Sequence, residues 1–392
     1  MDNKDRPEFE LLLRCMRMRL CADETVRVRA LLSGRVDWAR LLRLARNHGV
    51  VPLLHASLDV ARSDAVPEGL TAELAAYARK ITLRNFTLTG TLLHLLDLLR
   101  SRGIQAVPYK GPVLAVSAYG DVGLRQFDDL DILVRRCDLP RAIDALASDG
   151  YRPPCGLSGR RAVAFSDVES HCNFPPPKGR FALELHWEVF PMYFTAASRI
   201  EDIWDRLRPV RLMDTEVLTV SSQDLLPILC VRGGRQFWER LCWLCDVVEM
   251  TRKWKDEEWD TALLAAKRIG MRRAVFLGLF LAKELLGAPL PPGVALAVAA
   301  DPTVRRLAAQ AVERITAEAW EDTSGLERLY CHLALRERLA DKIQYCLRRG
   351  LTPTQSDWAF MPISSCPYGA YYLIRPIRLM LRQGLVPMKN LP

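Results

Sequence analysis

The chain has 392 residues, of which 49% are apolar and 26% charged. That composition supplies buried cores and excludes a fibre, a disulfide miniprotein or a disordered chain. Lys and Arg outnumber Asp and Glu by 55 to 46, a net charge of +9 that suits an anionic ligand such as a nucleotide, a nucleic acid or a phospholipid surface.

The start, Met1-Asp2-Asn3-Lys4-Asp5, lacks the basic n-region and apolar run of a secretory signal. The expectation is a cytoplasmic protein whose eleven cysteines stay as thiols. Residues 1–102 read as a helical region: Asp37 can cap a helix carrying Trp38, Leu41, Leu42 and Ala45 that Gly49 ends, and Thr71 can open a long helix that stops at Gly103. The character changes at Ile104. Ile104 to Tyr109 reads as a strand, Lys110-Gly111 as a turn and Pro112 to Tyr119 as a helix, with a second strand over Leu130 to Val134 and a helix from Asp138 and Pro140 to Gly150. Phe181 to Trp187 and Arg211 to Val220 read as two more strands, so residues 103–221 are α/β. The helical period returns over 222–350, and 351–392 is an aromatic and basic extension whose helical piece, Tyr371 to Leu381, is flanked or carried by Arg375, Arg378 and Arg382. Leu285 to Ala300 is free of charge for 16 residues, but Pro289, Pro291 and Pro292 break it, and no transmembrane segment is expected. The fold class is therefore α/β (α+β), a small mixed-sheet core flanked by N- and C-terminal α-helical regions.

Asp129 and Asp131 lie two apart in Phe127-Asp128-Asp129-Leu130-Asp131-Ile132-Leu133-Val134, and a strand points alternate side chains to one face. Two carboxylates on one strand face repel, and a hard divalent ion such as Mg²⁺ would hold them together. Glu184, in Phe181-Ala182-Leu183-Glu184-Leu185-His186-Trp187, completes a three-carboxylate cluster if its strand lies beside the first. His186 shares its face and is better placed to orient Glu184 than to bind a hard ion. The Lys110-Gly111 turn can hold a phosphate on helix amides with Lys110 as added charge, and Arg125 is a second phosphate candidate.

In this order the motifs resemble an uncharacterised bacterial nucleotidyltransferase family of the DNA polymerase β-type superfamily. Lys110-Gly111, Tyr119-Gly120, Arg125, Asp128 to Val134 and Leu183 to Trp187 match its core, while Trp238-Glu239-Arg240-Leu241, Trp243 and Asp246 match its helical segment. Tyr371-Tyr372 and Arg375-Pro376 match its C-terminal end. The resemblance implies transfer of a nucleoside monophosphate from an NTP, ATP first among them, to an acceptor with release of pyrophosphate. It implies Asp129, Asp131 and Glu184 as catalytic, Mg²⁺- or Mn²⁺-binding residues, Lys110, Gly111 and Arg125 as phosphate-binding, and His186, Asp128 and Arg235 as a supporting set. Two departures stand out: Lys110-Gly111 replaces the superfamily's glycine-serine, and the family's histidines near Arg232 and Gln236 are absent. The acceptor stays open between peptide, sugar, protein and RNA, with no RNA-binding motif in the flanks. A binding module without turnover, and kinase-like transfer of the γ-phosphoryl group on the same core, are the alternative readings. Cys242-Trp243-Leu244-Cys245 has metal-site spacing but no matching second pair, and reads as structural thiols.

Overall fold

The computed structural model describes residues 7–16, 22–61, 63–153, 166–167, 169–177, 181–191, 193–194, 200–317, 323–352, 375 and 377–378. Five helices come first: α1 (Pro7–Arg14), α2 (Ala22–Leu32), α3 (Trp38–Asn47), α4 (Val51–Ala61) and α5 (Glu68–Ser101). The Asp37 carboxylate accepts the Arg40 backbone N–H at 2.9 Å, as the capping pattern requires. The long helix begins at Glu68 behind Pro67, three residues before Thr71, because proline presets the first turn.

The core follows as β1 (Ala106–Pro108), α6 (Gly111–Leu114) running into a π-helical turn over Ala115–Tyr119, β2 (Asp129–Val134), α7 (Leu139–Ser148), β3 (His171–Phe174), β4 (Ala182–His186) and α8 (Ile200–Trp204). Its sheet has the order β1-β2-β4-β3, with β2 and β4 parallel and both outer pairs antiparallel. Alternation divides the faces. Leu130, Ile132 and Val134 of β2 and Leu183 and Leu185 of β4 are buried against Leu88, Leu92, Leu95 and Leu99 of α5 and Ile143 and Leu146 of α7. Each such leucine contributes about 1.5–3 kcal/mol on burial. The opposite face is left to Asp129, Asp131, Glu184 and His186.

The strand expected over Arg211 to Val220 is instead a separate hairpin, β5 (Arg208–Leu212) with β6 (Thr215–Thr219), turning at Met213-Asp214 with Met213 at φ 52°. The short polar turn divides one β-rich run into two strands. β3 was missed because four residues, one of them exposed Asn173, give too short an alternation to read.

The remaining helices are α9 (Ser222–Arg235), α10 (Leu241–Thr251), α11 (Asp256–Arg268), α12 (Arg272–Leu286), α13 (Pro292–Ala300), α14 (Pro302–Thr316), α15 (Gly325–Ala334) and α16 (Leu339–Leu351). Helices before and after the sheet share one apolar core, in which Leu11, Leu12, Leu44 and Leu54 join Trp238, Leu244, Phe276 and Leu279. α5 links the two cores: Leu74 lies in the helical one and Leu88 to Leu99 in the sheet one. Between α9 and α10 the chain turns through Phe237 and Trp238, both left-handed at φ 55° and 56°. Trp238 is fully buried, and a Cβ at Gly233 or Gly278 would lie 2.6 or 2.7 Å from its ring, so both positions must be glycine. Among the described residues no helix is long and apolar enough to cross a membrane. Of the C-terminal extension, Arg375 and Arg378 are described and buried, while Tyr371, Tyr372, Pro376 and Arg382 lie outside the described residues.

Candidate active site

The parallel pairing of β2 with β4 sets Asp131 directly opposite Glu184. His186, two residues along β4, reaches both: its Nε2 is 3.2 Å from Asp131 Oδ1 and 3.3 Å from Glu184 Oε2. From the other side Lys110 Nζ donates to Asp131 Oδ1 at 2.6 Å. Gly111 makes this approach workable. Its φ is 51°, a left-handed conformation that side chains disfavour, and this backbone form is what calls for glycine, since a Cβ there would make only an ordinary contact at 3.6 Å with the Asp129 carbonyl oxygen.

The electrostatics follow from that crowding. Asp131 is 4% exposed, and burial alone would raise its carboxyl, but Lys110 and then His186 outweigh burial and hold it well below the usual carboxylate range. Glu184 is likewise lowered, burial being outweighed by its hydrogen bond with His186. Asp129 moves the other way: burial, then the charges of Asp131 and Glu184, raise it. The ring of His171 stacks on His186 at 5.0 Å, and burial followed by the His186 charge lowers it to about 4.

The cleft over this cluster holds about 730 Å³. Lys110, Glu184 and His186 line it on the sheet side, with Asp131 bonded behind them, and Arg232, Arg235 and Gln236 of the α9 end line the other. Tyr109 closes the floor, edge-on to His186 at 5.3 Å.

Of the other residues expected at the site, Arg125 and Asp128 lie elsewhere and Arg235 borders the cleft. Arg125 is buried and donates to Asp246 of α10 through Nε at 2.7 Å and Nη2 at 2.9 Å, while the Tyr119 hydroxyl donates to the same carboxylate at 2.8 Å. Asp128 is exposed and pairs with Arg84 of α5. Arg235 lines the cleft wall, bonds Tyr193 at 3.3 Å and lies 5.3 Å over the Phe194 ring. Sequence reasoning missed Tyr109, which carried only the faint signal of an aromatic side chain after a short strand. It weighed His171 for zinc, with His186 as its one evident partner, and set it aside; His171 stacks on His186. Arg232 stands where the related family has histidines nearby, and it lines the cleft.

Asp131, Glu184 and His186 each offer one ligand atom, all within 4.8 Å of one another. Two carboxylates with a third raised beside them suit a hard divalent ion, which would relieve the repulsion that lifts Asp129. Imidazole is a donor such ions seldom take, which favours His186 as the residue that orients the two carboxylates. Cys242 and Cys245 are free thiols on α10, and burial pushes Cys242 up to about 12 and Cys245 well above the ordinary thiol value.

A mixed sheet with acidic residues on adjoining parallel strands, under a helical wall, defines a nucleotidyltransferase-type core. The sequence family described as an uncharacterised nucleotidyltransferase matches residues 34–287, and the chain belongs to that family. No curated protein and no solved structure matches it.

Proposed function

We propose that the protein transfers a nucleoside monophosphate from an NTP, ATP being the first to test, to an acceptor, releasing pyrophosphate. The observation that supports this best is the register of β2 and β4, which pairs Asp131 with Glu184 and keeps Asp129 on the same face. An acceptor oxygen attacks the α-phosphorus, the bond between the α- and β-phosphates breaks, and pyrophosphate carries away the electron pair. Asp129, Asp131 and Glu184 would hold Mg²⁺ or Mn²⁺, which when bound neutralises phosphate charge and polarises the reacting oxygens.

The chain's own groups do the rest by position and charge. Lys110 offers its one remaining ammonium proton to a phosphate oxygen while its bonds to Asp131 and the Tyr109 hydroxyl fix its place. Glu184, with 30% of its side chain exposed against 3% for Asp131, is the more open of the two paired carboxylates, and it serves either as a metal ligand or as the base that takes the acceptor's proton. His186 holds both carboxylates in register. Tyr109, buried with its phenol pushed well above the usual range by burial and then by Asp131 and Glu184, stays neutral and closes the floor to water.

The test is analysis of the products formed from each NTP with Mg²⁺ or Mn²⁺ and a panel of peptide, sugar, protein and RNA acceptors. Pyrophosphate release with the α-label on the acceptor is the expected result. Release of ADP with the γ-label on the acceptor would replace this reading with phosphoryl transfer; binding without either product would replace it with a binding module.

A further inference from the structure

Arg125, the arginine the motif offers for phosphate, is bonded along one edge to Asp246 inside the protein. Lys110 and Arg232 instead border the cleft over the carboxylates, Lys110 bonded to Asp131 at 2.6 Å. Arg232 is also the hinge between two hollows. It lines the 730 Å³ cleft over the carboxylates and, with Gln236, a second hollow of about 850 Å³ whose rim continues through Arg240, Trp243 and Arg328. Its guanidinium lies 5.8 Å over the Trp243 ring, a cation–π contact at the rim of this hollow. Glu239 also borders this hollow, but Arg314 pairs with it at 3.4 Å.

The backbone that builds this rim is strained. Two consecutive non-glycine residues, Phe237 and Trp238, are left-handed, each at a cost of about 1–3 kcal/mol. The Trp238 ring, locked between Gly233 and Gly278, holds the turn in that form. The result is that Arg232 at the end of α9 and Arg240 at the start of α10 border one hollow, which Arg328 of α15 completes. Such strain persists where the surroundings over-determine it, and here it serves to bring guanidinium groups from separate helices together.

We propose that the hollow bordered by Arg232, Arg240 and Arg328 is a phosphate subsite that continues from the carboxylate cleft. This deepens the nucleotidyl-transfer reading and rests on it for the source of the phosphates. Guanidinium forks match phosphate oxygens in pairs, and a phosphate chain entering from the carboxylates meets Arg232 first and the other two beyond it. The phosphates belong either to the tail of the NTP or to a phosphorylated acceptor.

Calorimetric titration with inorganic triphosphate, with ATP and Mg²⁺, and with adenosine tests the subsite without turnover. The proteins compared are the wild type, Arg240→Gln/Arg328→Gln, Arg232→Gln and Arg232→Lys, each checked for folding by circular dichroism. Inorganic triphosphate is expected to bind at least about 10-fold more weakly to the double variant, as loss of charge-assisted hydrogen bonds implies, with Arg232→Lys retaining more affinity than Arg232→Gln. An equal loss for ATP, with adenosine unchanged, assigns the subsite to the NTP tail; a loss for inorganic triphosphate alone assigns it to a phosphorylated acceptor. Equal triphosphate affinity in all four proteins overturns the subsite. Asp131→Asn separates the two claims: metal-dependent ATP binding that needs Asp131 but ignores the arginines leaves nucleotidyl transfer standing without the subsite, and arginine-dependent triphosphate binding with no Asp131-dependent ATP binding does the reverse.

Discussion

Two buried ion pairs stand on the same core, and they are buried to nearly the same degree. Lys110 and Asp131 have side chains 8% and 3% exposed, Arg125 and Asp246 9% and 2%. Their surroundings differ. Asp246 accepts two bonds from one guanidinium and a third from Tyr119, which ties the π-helical turn and the loop after it to α10, and only Arg125 Nη1 of this cluster is left buried without a partner. Asp131 shares its face with Asp129 and Glu184, one carboxylate raised and the other lowered, and its partners Lys110 and His186 line an open cleft. Burial and charge are thus poor guides to chemistry by themselves. What separates a strut from a site is whether the charges balance within the protein, and whether the group reaches solvent through its neighbours.

Four perturbations break or sharpen that contrast. The largest effect is expected from Asp131→Asn, which keeps the shape and removes the charge: turnover falls by about 10²- to 10³-fold, measured as pyrophosphate release, while the protein stays folded. Asp246→Ala has the opposite profile. It leaves Arg125 buried without its carboxylate and destabilises the fold by about 3–5 kcal/mol, read from chemical denaturation.

The third tests the helical core, where His48 and His332 are buried neutral. His48 accepts the Leu241 N–H at 3.3 Å, and burial lowers it to about 4; His332 lies 2.8 Å from the Tyr345 hydroxyl and 3.1 Å from the Arg235 carbonyl, and burial lowers it to about 3. Both folded values lie below the unfolded 6.5, so the unfolded chain takes up protons first and stability falls as pH falls. Each histidine adds a slope of up to about 1.4 kcal/mol per pH unit below pH 6.5. Denaturation midpoints from pH 7 down to about 4.5 check this, and His332→Gln should flatten the slope. The smallest effect is at the surface: Asp128→Asn removes an exposed pair with Arg84 and should change stability by less than about 1 kcal/mol.

The two strands that carry the carboxylates were legible because they alternate over the residues that matter: Leu130 and Ile132 inward, Asp129 and Asp131 outward, then Leu183 and Leu185 against Glu184 and His186. The same period placed four site candidates on one face. What could not be read is the partner of each charge, because partners come from distant helices. Arg125 lies beside the motif in sequence but meets Asp246, 121 residues away, and Arg232 lines the cleft from a helix that begins at Ser222, 88 residues after Val134 at the end of β2. The hairpin of β5 and β6 read as one strand because a two-residue turn leaves little mark on a β-rich run. The helix boundaries were close wherever a cap had a side-chain mechanism, as at Asp37, and three residues late where Pro67 did the work by backbone geometry alone.

The contrast between strut and site is tested most directly by thermal melting with each NTP and Mg²⁺ in three proteins: the wild type, Asp131→Asn and Asp246→Asn. A nucleotide bound by the native state alone adds about 2.7 kcal/mol at a hundredfold excess over its dissociation constant. The expected result is a metal-dependent upward shift in the wild type, a lower starting Tm but a shift of the same size in Asp246→Asn, and no shift in Asp131→Asn. A shift that survives Asp131→Asn and disappears in Asp246→Asn would contradict the account, since the pair enclosed between the sheet domain and α10 would then be the one that serves the nucleotide.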